Sequence, residues 1–146
     1  MCGYLGEISF ETIDKDSIIN SNKRIECRGP DSKRIENDKT ENIHYTFIFN
    51  RLSILDLTSE ADQPMRSLDG KSIVLFNGEI YNHMELRAKL ESKGVKFRTK
   101  RSDTEVVLNG LKEMGDDFVY ELRGQFAIAF FDLEKRNLTL FRDRLG

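Results

Sequence analysis

The segment Ser72-Ile73-Val74-Leu75-Phe76 is a nearly continuous apolar run of strand length, entered from a tight turn signalled by Asp69-Gly70. A strand that is apolar on both faces needs cover on both faces, so this run demands a layered architecture with the strand inside. Two further segments make a similar demand. Ile43, Tyr45, Phe47 and Phe49 alternate with His44, Thr46, Ile48 and Asn50, which gives one apolar face and a second that is only partly polar. Residues 125–132 hold Phe126, Ile128, Phe130 and Phe131, and after a short reversal at 133–136 a last strand alternates Leu138 and Leu140 with Thr139 and Phe141.

Residues 3–10 read as a first strand, which places residue 2 at or just before a sheet edge with its backbone held. Asp14 or Asp16 caps a short helix through Ile18 and Ile19 towards Arg24, and Arg28-Gly29-Pro30-Asp31 then forms a loop. Two central helices follow. One is capped by Asn82, carries Leu86 and Leu90 and ends at Gly94; the other begins near Ser102 or Asp103, carries Val106, Val107, Leu111 and Met114 and stops at Gly115. Strand-rich ends around two helices predict an α+β fold with sheets packed on each other and helices outside, rather than alternating βαβ units.

The 146 residues suit one domain with a sizeable core, and no linker, repeat or low-complexity tract divides them. A formal net charge of −2 gives no polycationic footprint, so no nucleic-acid partner is expected. Acidic residues at 7, 11, 14 and 16 exclude a signal peptide's apolar core, and no window approaches transmembrane length, so a cytoplasmic protein without a membrane partner is expected. In that compartment Cys2 and Cys27 are thiols. Cys27 reads as a small buried hydrophobe, and neither His44 nor His83 forms a ligand cluster with the cysteines, so no metal site is expected.

Chemistry concentrates at the start of the chain. Met1-Cys2-Gly3 becomes, once the initiator methionine is removed, a thiol and a free α-amino group on one residue. Their ordinary pKa values, near ~8.5 and ~8, both lie close to neutrality, and an amine beside a thiol is an arrangement for covalent catalysis. In Phe76-Asn77-Gly78-Glu79-Ile80-Tyr81-Asn82-His83 an apolar strand runs into amide, glycine and carboxylate groups. Asn77-Gly78 reads either as a turn or as an oxyanion hole made of a side-chain amide and a backbone N–H. Arg51, at the end of the aromatic strand, reads either as a surface ion pair, with Asp56 as the nearest partner, or as a planar fork for a carboxylate. Asp103 reads either as a helix cap or as an anion for an ammonium group. A thiol nucleophile, an oxyanion hole, a cation and an anion together match the side-chain amide, α-carboxylate and α-ammonium groups of free glutamine.

These residues resemble the glutaminase domain of glutamine-hydrolysing asparagine synthetases, a class II glutamine amidotransferase of the N-terminal-nucleophile (Ntn) hydrolase fold. The resemblance runs in order through Met1-Cys2-Gly3, Arg28-Gly29-Pro30-Asp31, Arg51-Leu52-Ser53-Ile54 with Asp56-Leu57, Gln63-Pro64-Met65, Asn77-Gly78-Glu79-Ile80-Tyr81-Asn82, Ser102-Asp103-Thr104-Glu105 and Arg123-Gly124-Gln125-Phe126-Ala127. It implies a four-layer αββα sandwich of two mainly antiparallel sheets with helices outside, spanning residues 1–146. It also implies that Cys2 attacks the glutamine side-chain carbonyl, that Asn77 and the Gly78 N–H form the oxyanion hole, and that Arg51 grips the α-carboxylate. Asp103 and the Gly78 carbonyl would hold the α-amino group, while Glu79 and the backbone of Leu52, Ser53, Ile54 and Leu55 would complete the pocket. Residues 28–31 and Asn82 would be supporting positions. Asn50 stands where the family often has His, a change expected to tune the pocket.

The resemblance further implies a C-terminal or separate synthetase domain as partner, the ammonia acceptor, with L-glutamine as substrate. No Ser-Gly-Gly-x-Asp-Ser loop occurs in the 146 residues, so ATP and magnesium are expected only in such a synthetase domain and no cofactor in this one. A class II amidotransferase serving another acceptor, and a catalytically silent binding module, are the alternatives. Oligomeric state stays open, with a homo-oligomer among the options.

Overall fold

The computed structural model describes residues 2–53 and 58–146. Strands β1 (Gly3–Ser9), β2 (Ser32–Thr40) and β3 (Ile43–Arg51) form one sheet in the order β1-β3-β2. Strands β4 (Met65–Arg66), β5 (Ser72–Ile80), β6 (Gly124–Asp132) and β7 (Asn137–Arg142) form the other in the order β4-β5-β6-β7. Every pairing is antiparallel. Among the described residues, helices α1 (Lys15–Asn22), α2 (His83–Ser92) and α3 (Asp103–Met114) complete the regular elements, with three short 3₁₀ turns besides.

Period-2 alternation sorts the side chains into two cores. Ile43, Tyr45, Phe47 and Phe49 of β3 meet Ile73 and Leu75 of β5 and Ala129 and Phe131 of β6 between the sheets. The rings of Tyr45 and Phe47 both approach Phe131 edge-on, with centroids 5.4 and 5.9 Å apart, the geometry that aromatic quadrupoles favour. Val74, Phe76 and Ile80 of β5, with Phe126, Ile128 and Phe130 of β6, face the other way onto Leu86 and Leu90 of α2 and Val107 and Leu111 of α3. On the far side of the three-stranded sheet, α1 buries Ile18 and covers Thr46, Ile48 and Asn50. The order α1, sheet, sheet, α2 with α3 is the expected four-layer αββα sandwich.

Asn22 of α1 and Asn50 of β3 exchange amide hydrogen bonds of 3.2 and 2.8 Å, and both are buried. Asn50 therefore ties helix to sheet on the outer face. Its side chain bonds to the helix and is not among those lining the cleft beside Cys2, where the sequence reading expected it to act on the pocket. Gly3 lies opposite Asn50 and Gly6 opposite Phe47 in the β1–β3 register. A Cβ on Gly6 would sit 2.6 Å from Phe47 Cδ1, so the ring lies directly on the glycine.

Several elements depart from the sequence reading. Strand β2 carries SKRIENDKT, with no apolar alternation to announce it; it is an edge strand, paired to β3 along its whole length and charged on its open face. Asn77 and Gly78 do not turn: β5 continues through them, with Asn77 opposite Ala127 and Gly78 opposite Phe126. Asn82 occupies the N-cap position of α2 but caps nothing, because its side chain donates to Glu121 O at 3.0 Å and accepts from Arg123 N at 3.0 Å. Cys27 is exposed rather than buried, and both it and Cys2 are free thiols. No helix among the described residues is long and apolar enough to cross a membrane.

Candidate active site

Cys2 directly precedes β1, at the margin of the core between the sheets. Its Sγ accepts a hydrogen bond from Leu52 N at 3.3 Å and donates to Leu52 O at 3.6 Å, so the backbone beyond β3 fixes the thiol. Its carbonyl accepts from Arg28 Nε at 3.0 Å. The Arg28-Gly29-Pro30-Asp31 loop thus holds the nucleophile candidate from behind. Gly29 fits because a Cβ there would lie 2.1 Å from Asn50 O. Asp31 Oδ2 accepts from Ser53 N at 2.7 Å and steadies the segment that leaves β3.

A cleft of about 150 Å³ opens beside the thiol and brings together Cys2, Arg51, Leu52, Asn77, Gly78, Glu79 and Asp103. Three different parts of the fold supply them: the ends of β1 and β3, the second half of β5, and the first turn of α3. Of the remaining expected pocket residues, Ser53 does not line the cleft; Ile54 and Leu55 lie outside the described residues.

Arg51 is 8% exposed, and its Nη1 donates to Asp62 Oδ1 at 2.6 Å and Thr58 O at 2.9 Å. Arg51 does form an ion pair, with Asp62, and this pair is largely withdrawn from solvent; Asp56, the partner expected from the sequence, lies outside the described residues. Asn77 and Glu79, two residues apart on one strand, present side chains on one face at the cleft. Gly78 between them permits close approach of β5 to β6: a Cβ would stand 2.1 Å from Gln125 O.

Asp103 is the first residue of α3, and Ser102 performs the capping, its Oγ accepting from Glu105 N at 3.4 Å. Asp103 Oδ2 accepts from Ile80 N at 3.2 Å and Oδ1 from Thr104 N at 2.8 Å, which joins the helix start to the end of β5. Burial dominates its titration and lifts the pKa to about 6, while the Ile80 and Thr104 amides and the His83 ring pull down and Glu79 pushes up. The result is a carboxylate, nearly removed from water, that gains from any cation placed against it.

The cleft also holds residues to which sequence reasoning gave no role: Ala61, Gln63, Thr104 and Gln125. Gln63 and Gln125 stood within the motif segments, but a single sequence offers no signal separating a lining glutamine from a surface one. Among the described residues, no group of three or more His, Cys, Asp or Glu side chains is placed to hold a metal ion.

The chain is 38% identical over 151 residues to glutamine-hydrolyzing asparagine synthetase 1 of Bacillus subtilis, an alignment covering 100% of this chain and 23% of the relative. Asparagine synthetase 2 of the same organism is 42% identical over 122 residues, covering 84% of this chain and 15% of the relative. The rice (Oryza sativa) asparagine synthetase 2 is 36% identical over 149 residues, covering 100% and 24%. The chain thus spans a quarter or less of the length of these relatives. The family model described as glutamine amidotransferase domain matches residues 1–146, and the chain belongs to that family.

Proposed function

We propose that this chain hydrolyses the side-chain amide of L-glutamine to glutamate and ammonia, and that the ammonia serves an ATP-dependent, asparagine-synthetase-type acceptor domain outside these 146 residues. The observation that carries the reading is the single cleft lined by Cys2, Arg51, Asn77, Gly78, Glu79 and Asp103. In a glutamine bound there, the α-carboxylate meets the Arg51 guanidinium and the α-ammonium meets Asp103 and the Gly78 carbonyl. The side-chain amide then points at Cys2.

With Met1 removed, the α-amino group of Cys2 takes the thiol proton as Sγ bonds to the amide carbon, and the carbonyl oxygen becomes an oxyanion. Asn77 and the Gly78 N–H face that oxygen as donors, and their effect is greatest in a cleft that limits water. The tetrahedral adduct collapses by breaking the C–N bond, with the proton delivered to the leaving nitrogen, so ammonia departs and a γ-glutamyl thioester remains. Water then attacks the thioester, glutamate is released and the thiol is restored.

The test is direct. Met-free protein treated with an electrophilic glutamine analogue is expected to carry one adduct, mapped by mass spectrometry to Cys2, and to release ammonia from glutamine. An intact Cys2 in folded, Met-free protein would remove the nucleophile assignment. Adding a separate synthetase partner tests the acceptor, since asparagine formation from glutamine, aspartate and ATP should then depend on Cys2.

A further inference from the structure

We infer that the dipeptide Asp62-Gln63 positions the substrate-gripping groups by tying Arg51, the β5 strand before Asn77 and the α3 turn bearing Asp103 into one frame. The inference rests on the glutaminase reading above. Asp62 and Gln63 are adjacent, yet their side chains serve different parts of the cleft. Asp62 Oδ1 holds Arg51 Nη1 at 2.6 Å. Gln63 Oε1 accepts from Phe76 N at 2.6 Å, and its Nε2 donates to Phe76 O at 3.0 Å and Thr104 Oγ1 at 3.2 Å. Phe76 immediately precedes Asn77, and Thr104 immediately follows Asp103.

The register explains why a glutamine does this. Strand β4 pairs with β5 only at Met65↔Val74 and Arg66↔Ile73. Ser67 N donates to Ser72 O, so the hydrogen-bonded positions of this ladder fall at Ser72, Val74 and Phe76, and continued antiparallel pairing would bring Gln63 opposite Phe76. Instead, the Gln63 side-chain amide supplies one donor and one acceptor to the Phe76 main chain, as a strand residue would, and its second N–H reaches α3. Gln63 is 5% exposed, so unmade bonds would leave buried polar groups without partners. The Asp62–Arg51 pair is mostly buried too, with side chains 20% and 10% exposed, and such pairs are poorly explained by stability alone. Both sets of contacts are better understood as setting angles at the cleft, where small displacements of reacting groups are costly.

Because the two residues hold different groups, they predict different kinetic signatures. Gln63→Glu keeps the shape but loses the donors when ionised; kcat for glutamine hydrolysis is expected to fall on the order of tenfold to a hundredfold, with KM changing far less. Protonation of the introduced acid restores a donor to Phe76 O, so variant activity relative to wild type should recover as pH falls. Asp62→Asn loosens Arg51 and should raise KM roughly tenfold with kcat nearly unchanged. Thermal melts accompany both variants, and Gln63→Asn, too short by one methylene to span both contacts, supplies a second loss at position 63. Calorimetric binding of L-glutamine in the Cys2→Ser background reads the Asp62 arm without turnover. Wild-type protein that binds but does not hydrolyse glutamine would overturn the glutaminase reading while leaving this arm measurable. Active wild type with both variants unchanged, or with kcat and KM falling together and no pH recovery in Gln63→Glu, would overturn the positioning inference.

Discussion

Replacing Asp103 by asparagine should make the protein more stable and worse at its task. The side chain is buried, and its pKa rises from 3.8 to about 6. The folded protein therefore keeps the Asp103 proton to higher pH than the unfolded chain, and stability falls as pH climbs through that interval. Above it the ionised carboxylate costs the fold about 3 kcal/mol. Asparagine removes that charge but meets the N–H groups of Ile80 and Thr104 with only one acceptor oxygen, a loss of about 1 kcal/mol. The net gain near pH 8 is then about 2 kcal/mol, or roughly 6 °C in melting temperature for a domain of this size. Near pH 4, where the native carboxyl is protonated, the gain should vanish or reverse. Thermal melts of both proteins across this range provide the assay, with His83 and Glu79 as the neighbouring titrating groups common to both. Asp103→Asn melting below wild type at pH 8, or an offset independent of pH, would refute the reasoning. The same substitution should raise KM for glutamine about tenfold to a hundredfold through loss of a charged hydrogen bond, visible in an ammonia-release assay at pH 8. In wild type, KM should climb as pH drops below about 6, because a protonated Asp103 no longer attracts an ammonium group.

Asn77→Ala should lower kcat by on the order of a hundredfold to a thousandfold while circular dichroism stays native, and a loss under tenfold would argue against its oxyanion role. Gly78→Ala should destabilise by about 3 kcal/mol or more in urea unfolding, because the new methyl meets Gln125 O at 2.1 Å and the β5–β6 ladder must spread. Asn22→Ala should cost about 1 to 3 kcal/mol by stranding the Asn50 amide, with KM for glutamine unchanged, since that pair faces away from the cleft.

The layers were legible because doubly apolar strands such as residues 72–76 can be satisfied only by cover on both sides, and the structure supplies sheet on one side and helix on the other. Strand β2 was not legible, because an edge strand needs a partner's backbone rather than an apolar face of its own. Asn77-Gly78 misled as a turn because the dipeptide's local preference yields to nine consecutive pairings between β5 and β6. Cys2, Arg51, Asn77, Gly78, Glu79 and Asp103 could be gathered from motifs. Their connecting groups could not: Asp62 and Gln63 act through tertiary distances that no local spacing encodes, and Asn50 looked like a pocket residue until β3's alternation sent its side chain to α1.

The glycine beneath the Phe47 ring gives the N-terminal strand a notch. Strand β1 lies at a sheet edge, with β3 as its one ladder partner, and an edge strand is the kind most easily displaced along its neighbour. Sliding it by one residue would drive Leu5 or Glu7 under the aromatic ring and turn the thiol away from the cleft. The missing side chain at position 6 thus acts as an alignment key, and the aim of the cysteine is set four residues downstream of the sulfur itself.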